Sequence, residues 1–169
     1  MKKMKFVLTT MLVLFTCTAT TLFAQSKEEK KKEVATKVQT LIESGDFEIQ
    51  VNRAVPSGGQ SRELTSPYEI EVENGNASSY LPYFGVAYSA PIGEDGGIKF
   101  EDQPMIDYKV KKDKKDKYVV TYKVNDGRNS YNFRVEVFDN GSSTISVTPS
   151  TKRAITFYGN LKLENDDND

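Results

Sequence analysis

Residues 118–148 read YVVTYKVNDGRNSYNFRVEVFDNGSSTISVT. In the first third Tyr118, Val120, Tyr122 and Val124 alternate with Val119, Thr121 and Lys123. In the second third Tyr131, Phe133, Val135 and Val137 alternate with Asn132, Arg134 and Glu136. A period of two with one apolar and one polar face is the mark of a half-buried strand. Asn125-Asp126-Gly127-Arg128 and Asp139-Asn140-Gly141 fall between the runs and supply turn chemistry. Strands of this length separated by tight turns make an antiparallel meander with one wet side.

The same pattern extends in both directions. Downstream, Ser143 to Thr148 and Ala154 to Leu163 continue the series. Upstream, Ile106, Tyr108 and Val110 form one face, and Lys112 to Asp116 makes a charged turn. Further back, Tyr68, Ile70 and Val72 alternate with Glu69 and Glu71, and Asn74-Gly75 is a strong hairpin signal leading into a partner strand, Ala77 to Leu81. Gly97 to Phe100 reads as another short strand, and Phe47, Ile49 and Val51 as the first. Asn52 to Gln60, rich in turn residues, reads as a loop. Ahead of the strands, Ser26 to Ser44 reads as a helix within segment 25–45. Ser26 and Glu29 match the capping-box spacing, Val34, Val38, Leu41 and Ile42 form one stripe, and Gly45 is the stop. The expected fold is α+β, mainly β. An N-terminal helix accompanies a curled antiparallel β-meander over 46–163, an open sheet or a small barrel of about eight strands.

The first 24 residues carry an export signal's pattern. Lys2, Lys3 and Lys5 precede an apolar run from Phe6 to Phe15, too short to span a bilayer, and Ala24 fits the cleavage position. Lipid anchoring at Cys17 is the weaker alternative, because Phe15 and Thr16 stand where a lipobox has small residues. The sequence predicts an exported protein, periplasmic or secreted. Three of the 23 basic residues and the one cysteine lie in 1–24, so the 145 residues left carry 20 basic against 24 acidic side chains and no Cys, His or Trp. Stability then rests on an ordinary core with no disulfide framework. The mild acidity speaks against a nucleic-acid partner. The tail 164–169 is acidic, lacks apolar anchors and reads as disordered.

Between the hairpins lies Tyr80 to Phe100, YLPYFGVAYSAPIGEDGGIKF, with five aromatics, four of the eleven glycines and two of the six prolines. No single period runs through it, so it reads as a long ordered loop with an apolar underside. Leu81, Phe84, Val86 and Ile98 would plug an open end of the sheet, and Tyr80, Tyr83 and Tyr88 would keep wet hydroxyls at the rim. Tyr80, Tyr83, Phe84 and Tyr88 are the candidate surface for a ligand or partner.

Tyr80-Leu81-Pro82-Tyr83-Phe84-Gly85, Ala87 to Pro91 and Gly96-Gly97-Ile98-Lys99-Phe100, with Asn52-Arg53-Ala54, Leu64-Thr65-Ser66 and Tyr68, resemble the exported gut-Bacteroidetes family known as domain of unknown function 4251. The resemblance covers nearly all of the chain beyond residue 24. Val86 departs from it, standing where many members carry arginine. An exported β-rich domain is what the resemblance implies, and no activity comes with it.

Without histidine or a cysteine beyond the signal, the usual general base, the thiol nucleophile and the commonest zinc ligands are missing. Carboxylate pairs remain. Glu94-Asp95 and Glu101-Asp102 are adjacent in sequence, and neighbours on a strand point to opposite faces, so neither pair makes a dyad by itself. The glycine-flanked Glu94-Asp95 lacks calcium-loop spacing. Lysines 109, 111, 112, 114, 115 and 117 crowd one hairpin tip but are interleaved with Asp107, Asp113 and Asp116. That tip reads as a solvated turn rather than an anion-binding patch. No metal, cofactor, catalytic residue or transmembrane span is expected. The expected function is a non-enzymatic binding module for a small apolar or sugar ligand, of unknown oligomeric state. The alternatives are an envelope accessory protein docking a protein partner and, behind it, a carboxylate hydrolase.

Overall fold

The computed structural model describes residues 27–88, 96–113 and 117–163. The segment 1–24, the cap at Ser26, Glu94-Asp95, the hairpin tip 114–116 and the tail 164–169 lie outside the described residues. The chain divides into two compact units, Met1–Val34 and Ala35–Asp169. In the first, residues 27–34 are helical and mostly exposed, with Lys31 paired to Glu28 at 3.1 Å. In the second, the helix continues to residue 44, with Val38 and Ile42 fully buried. It ends as expected at Gly45, whose φ of +80° only glycine adopts without strain. Just beyond, the Asp46 carboxylate accepts the Asn74 N–H at 2.9 Å and ties the helix end to a hairpin turn.

Nine antiparallel strands follow: β1 Phe47–Pro56, β2 Arg62–Glu73, β3 Asn76–Leu81, β4 Ile98–Pro104, β5 Ile106–Lys112, β6 Lys117–Asn125, β7 Ser130–Phe138, β8 Ser142–Pro149 and β9 Ile155–Leu161. Their order in the sheet is β4-β3-β2-β1-β9-β8-β7-β6-β5. The two outermost strands, β4 and β5, are joined by one residue, Met105. A flat sheet cannot bring its opposite edges that close, so the sheet curls into a nearly closed barrel. The Met105 N–H donates to Gly75 O at 3.1 Å, pinning the seam to the β2–β3 turn. Across the interior Phe100 of β4 packs on Tyr131 and Phe133 of β7 at 5.4 and 5.9 Å between ring centroids, and Phe133 stacks on Tyr122 at 4.9 Å. The alternating residues of β6, β7, β8 and β9 fill the same core.

The hairpin at Asn74-Gly75 has φ of 52° and 82°, both positive as a type I′ turn requires. Two readings of the sequence fail for the same physical reason. Asn52 to Pro56 is not a loop. β1 runs through it, with a bulge between Val51 and Arg53 that re-aims Ala54 into the core. Ile106 does not share an inward face with Tyr108 and Val110. The register shifts between Ile106 and Lys109, Asp107 takes φ 58°, and Ile106 is left exposed. A bulge inserts one residue, and a one-residue slip moves a side chain to the other face. At the hairpin base, Lys117 turns in to pair with Glu136 at 2.6 Å, which holds the Glu136 carboxyl below the usual range.

Gly159 faces Val51 beside the β1 bulge, and a Cβ there would overlap the Gln50 carbonyl outright. Gly159→Ala is expected to destabilise by at least about 2–3 kcal/mol, read from urea unfolding midpoints. Tyr122 and Tyr108 bury hydroxyls that have no hydrogen-bond partner among the described residues, and burial pushes both phenols above the ordinary value of 10.0. Unfolded tyrosine ionises near that value while the buried phenol keeps its proton. Above pH 10 the native state therefore binds more protons than the unfolded one, and stability falls as pH rises, by about 1.4 kcal/mol per pH unit per fully buried tyrosine. Tyr122→Phe should flatten that alkaline decline and cost little or nothing at neutral pH, because it removes an unpaired buried hydroxyl.

Candidate functional site

The loop after β3 is held from below. Ala87 forms an isolated bridge with Lys152, the Tyr88 N–H donates to Thr151 O at 2.8 Å, and the Arg153 N–H donates to Val86 O at 3.1 Å. The Tyr83 hydroxyl lies 3.0 Å from both Val86 O and Arg153 O, and its burial pushes the phenol pKa up. The buried Lys152 ammonium lies 5.1 Å from the Tyr83 ring centroid and donates to Gly96 O and Gly97 O, so one side chain ties both ends of the loop to the β8–β9 connection. Phe84 is half-buried under the Arg62 guanidinium at 4.9 Å. Of the four residues expected to form the plug, Leu81 and Ile98 are fully buried and Phe84 half-buried, while Val86 is 55% exposed and plugs nothing.

The outer face of β2, β3 and β4 carries a groove, for a reason visible in the register. Glu69 stands opposite Tyr80 and Glu71 opposite Ser78, and Tyr80 in turn stands opposite Lys99. The middle strand thus offers one small residue, Ser78, between long side chains on both neighbours. The result is a depression of about 710 Å³ whose lining includes Glu69 and Glu71 of β2, Ser78 and Tyr80 of β3, and Lys99, Phe100, Glu101 and Asp102 of β4. Tyr80 is 47% exposed, its ring stacked on Tyr68 at 5.6 Å and covered by the Lys99 ammonium at 4.7 Å.

The β4 wall corrects an expectation. Glu101 and Asp102 do not split to opposite faces: both are exposed and both line the groove. Between the pairs Ala77↔Gln103 and Ser79↔Phe100, two residues of β4 oppose the single Ser78, a bulge with Asp102 at φ 48°. The Asp102 N–H donates to Ser78 Oγ at 3.0 Å, and Asn76 Nδ2 donates to the Asp102 carboxylate at 2.7 Å. On the β2 wall, burial first and then the neighbouring Glu48 and Glu71 carboxylates raise the Glu69 pKa, against a smaller opposing effect of Lys162. Lys162 itself pairs with Glu48 at 3.2 Å.

A second cleft of about 660 Å³ lies on the other side of β4, toward the β6–β7 turn, and shares Lys99, Phe100 and Glu101 with the first. Its far wall is Asp126, Arg128, Asn129 and Tyr131. Asp126 serves the turn, its carboxylate accepting the N–H groups of Arg128 and Asn129 and the Tyr131 hydroxyl. Along β4 Gln103 Nε2 donates to Glu101 O at 2.9 Å, capping a carbonyl near the open edge.

Of the four expected surface residues, Tyr80 lies in the groove. Tyr83 is tied inward by its hydroxyl, Phe84 packs under Arg62, and Tyr88 is 68% exposed, and none of the three lines either cleft. Sequence reasoning does not mark Glu69, Glu71, Ser78 or Lys99 as site residues. The Asn74-Gly75 turn contained the missing signal, since a two-residue turn fixes the β2–β3 register and hence sets Ser78 against Glu71. No group of three or more His, Cys, Asp or Glu side chains suited to a metal occurs among the described residues. Lys152→Met removes the clamp on Gly96 and Gly97. Hydrogen exchange at Tyr88 and Arg153 should accelerate about tenfold or more while core strand amides stay protected, with a global loss of about 1–3 kcal/mol.

The domain of unknown function DUF4251 matches residues 29–161. No curated protein matches the sequence. A crystal structure of a DUF4251 family protein from Bacteroides eggerthii DSM 20697, at 1.95 Å resolution, is similar to this chain with a TM-score of 0.58 and 17% identity, over 76% of this chain and 86% of that one. At that identity the likeness speaks for the fold alone. With the family match spanning most of the helix and all nine strands, the chain belongs to the DUF4251 family.

Proposed function

We propose that the protein is an exported, non-enzymatic binding module whose ligand lies in the groove across the outer face of β2, β3 and β4. The observation that carries this reading is the pairing of a small floor residue, Ser78, with a half-exposed aromatic ring, Tyr80, between walls of long polar side chains. A concavity with one aromatic surface and convergent polar groups is the usual form of a small-molecule site. The tethered loop 82–88 bounds the region rather than contacting the ligand. Export rests on the pattern of residues 1–24.

The polar lining supports a sugar over an apolar ligand, because carboxylates and an ammonium lose hydration against a hydrocarbon with nothing returned. A hydrolase is the second reading, favoured by acids on both walls: Glu69 and Glu71 face Glu101 and Asp102. It stands behind binding because the groove is on the outer face, where solvent weakens the electrostatic stabilisation a reaction needs. A protein partner docking on this face remains the third reading.

Ser78→Trp fills the floor from the outer face and also removes the hydroxyl that accepts the Asp102 N–H, so its urea unfolding midpoint is compared with that of the wild type first. The wild-type protein from its own host, and the Ser78→Trp variant from the same host, can be analysed by mass spectrometry intact and after organic extraction. A chain beginning at Gln25 and a small molecule retained by the wild type alone are expected. Equal retention by both proteins would remove the groove from the proposal, and turnover lost in Glu71→Gln or Glu101→Gln would make it an enzyme.

A further inference from the structure

Resting on the binding reading above, we infer that the ligand is a neutral oligosaccharide, bound with a pyranose ring on Tyr80 and its chain passing over β4 into the second cleft. Three properties of the groove narrow the chemistry to this class. The first is its hydrogen-bonding character. Glu69, Glu71, Glu101 and Asp102 are acceptors when ionised, so the ligand must bring donors. Sugar hydroxyls do so.

The second is charge. Four carboxylates against the single Lys99 ammonium repel an anion, which excludes acidic polysaccharides, phosphorylated ligands and nucleic acid from the groove. A cation meets like-charge repulsion from the Lys99 ammonium, which lies 4.7 Å from the Tyr80 ring centroid, whereas a neutral ring displaces that side chain without it. A neutral ligand with a slightly positive C–H face can use the electron-rich ring without competing for the carboxylates as an ion.

The third is extent. A cleft of about 710 Å³ exceeds the needs of one ring, and it shares Lys99, Phe100 and Glu101 with the cleft of about 660 Å³ beyond β4. There Gln103, whose Nε2 donates to Glu101 O, presents its carboxamide oxygen, and Asn129, whose Oδ1 accepts the Thr151 hydroxyl, presents its amide N–H groups. A path that changes from acceptor-rich to mixed along its length suits a chain of hydroxylated rings. Lys99 stands at the junction and caps Tyr80 until a sugar displaces it.

Titration calorimetry tests this with neutral β-glucan, α-glucan, xylan, mannan and N-acetylchitin oligosaccharides, from disaccharide to hexasaccharide, beside oligogalacturonate and spermine. At least one neutral series should bind, more tightly with length and with little dependence on salt. Tyr80→Ala and Ser78→Trp should each weaken it by about tenfold or more, while Lys99→Ala should strengthen it by freeing the ring. Binding of spermine or oligogalacturonate in place of the neutral series, lost in Ser78→Trp, would overturn the ligand class and leave the binding module standing. Failure of every neutral series would also overturn it, and the host-derived molecule retained by wild type but not by Ser78→Trp would then show that the groove still binds something else. Loss of both results would remove the module as well as the glycan.

Discussion

The architecture depends on one covalent constraint, the single residue between β4 and β5. These strands sit at opposite ends of the hydrogen-bonded order, yet Met105 alone separates them. No amount of side-chain packing could be traded for that link. The sheet must curl until its edges meet, and the aromatic contacts of Phe100 with Tyr131 and Phe133 fill the space this creates. Twist gives the strands the capacity to curl. The short link makes curling compulsory.

Closure by a shared chain rather than by a complete hydrogen-bond ladder leaves a seam. Among the described residues β4 pairs along it only with β3, and the cleft toward the β6–β7 turn lies on its other side. The carbonyls near this edge are not left bare, since Gln103 caps Glu101 and Lys152 holds Gly96 and Gly97. An edge blunted by side chains resists pairing with another strand. The seam is therefore poorly suited to an added strand.

Much of the fold was legible because the interior obeys a period of two. The β6 to β9 meander, the Asn74-Gly75 turn and the stop at Gly45 all follow from local chemistry that tertiary packing reinforces. The errors cluster at bulges. Asn52, Asp102 and Asp107 each interrupt the alternation, and the sequence marks none of them as different from an ordinary polar residue. Whether an Asp takes positive φ depends on the strand beside it, which a single-sequence pattern does not contain. For the candidate site the limitation was of another kind. The aromatic loop drew notice for its composition, whereas the groove arises from Ser78, a small residue whose significance appears only once its neighbours on β2 and β4 are known. Tyr83 illustrates the converse, an apparent surface aromatic whose hydroxyl is a structural tie to Arg153.

The place of β1 has a consequence for how the chain acquires its structure. It pairs on one side with β2, its immediate successor, and on the other with β9, the last strand. A chain emerging from the ribosome can form the β1–β2–β3 hairpins early, but β1 keeps an open flank until residues 155–161 arrive. Cooperative folding is thus deferred to the end of synthesis, and contacts so distant in sequence slow it further.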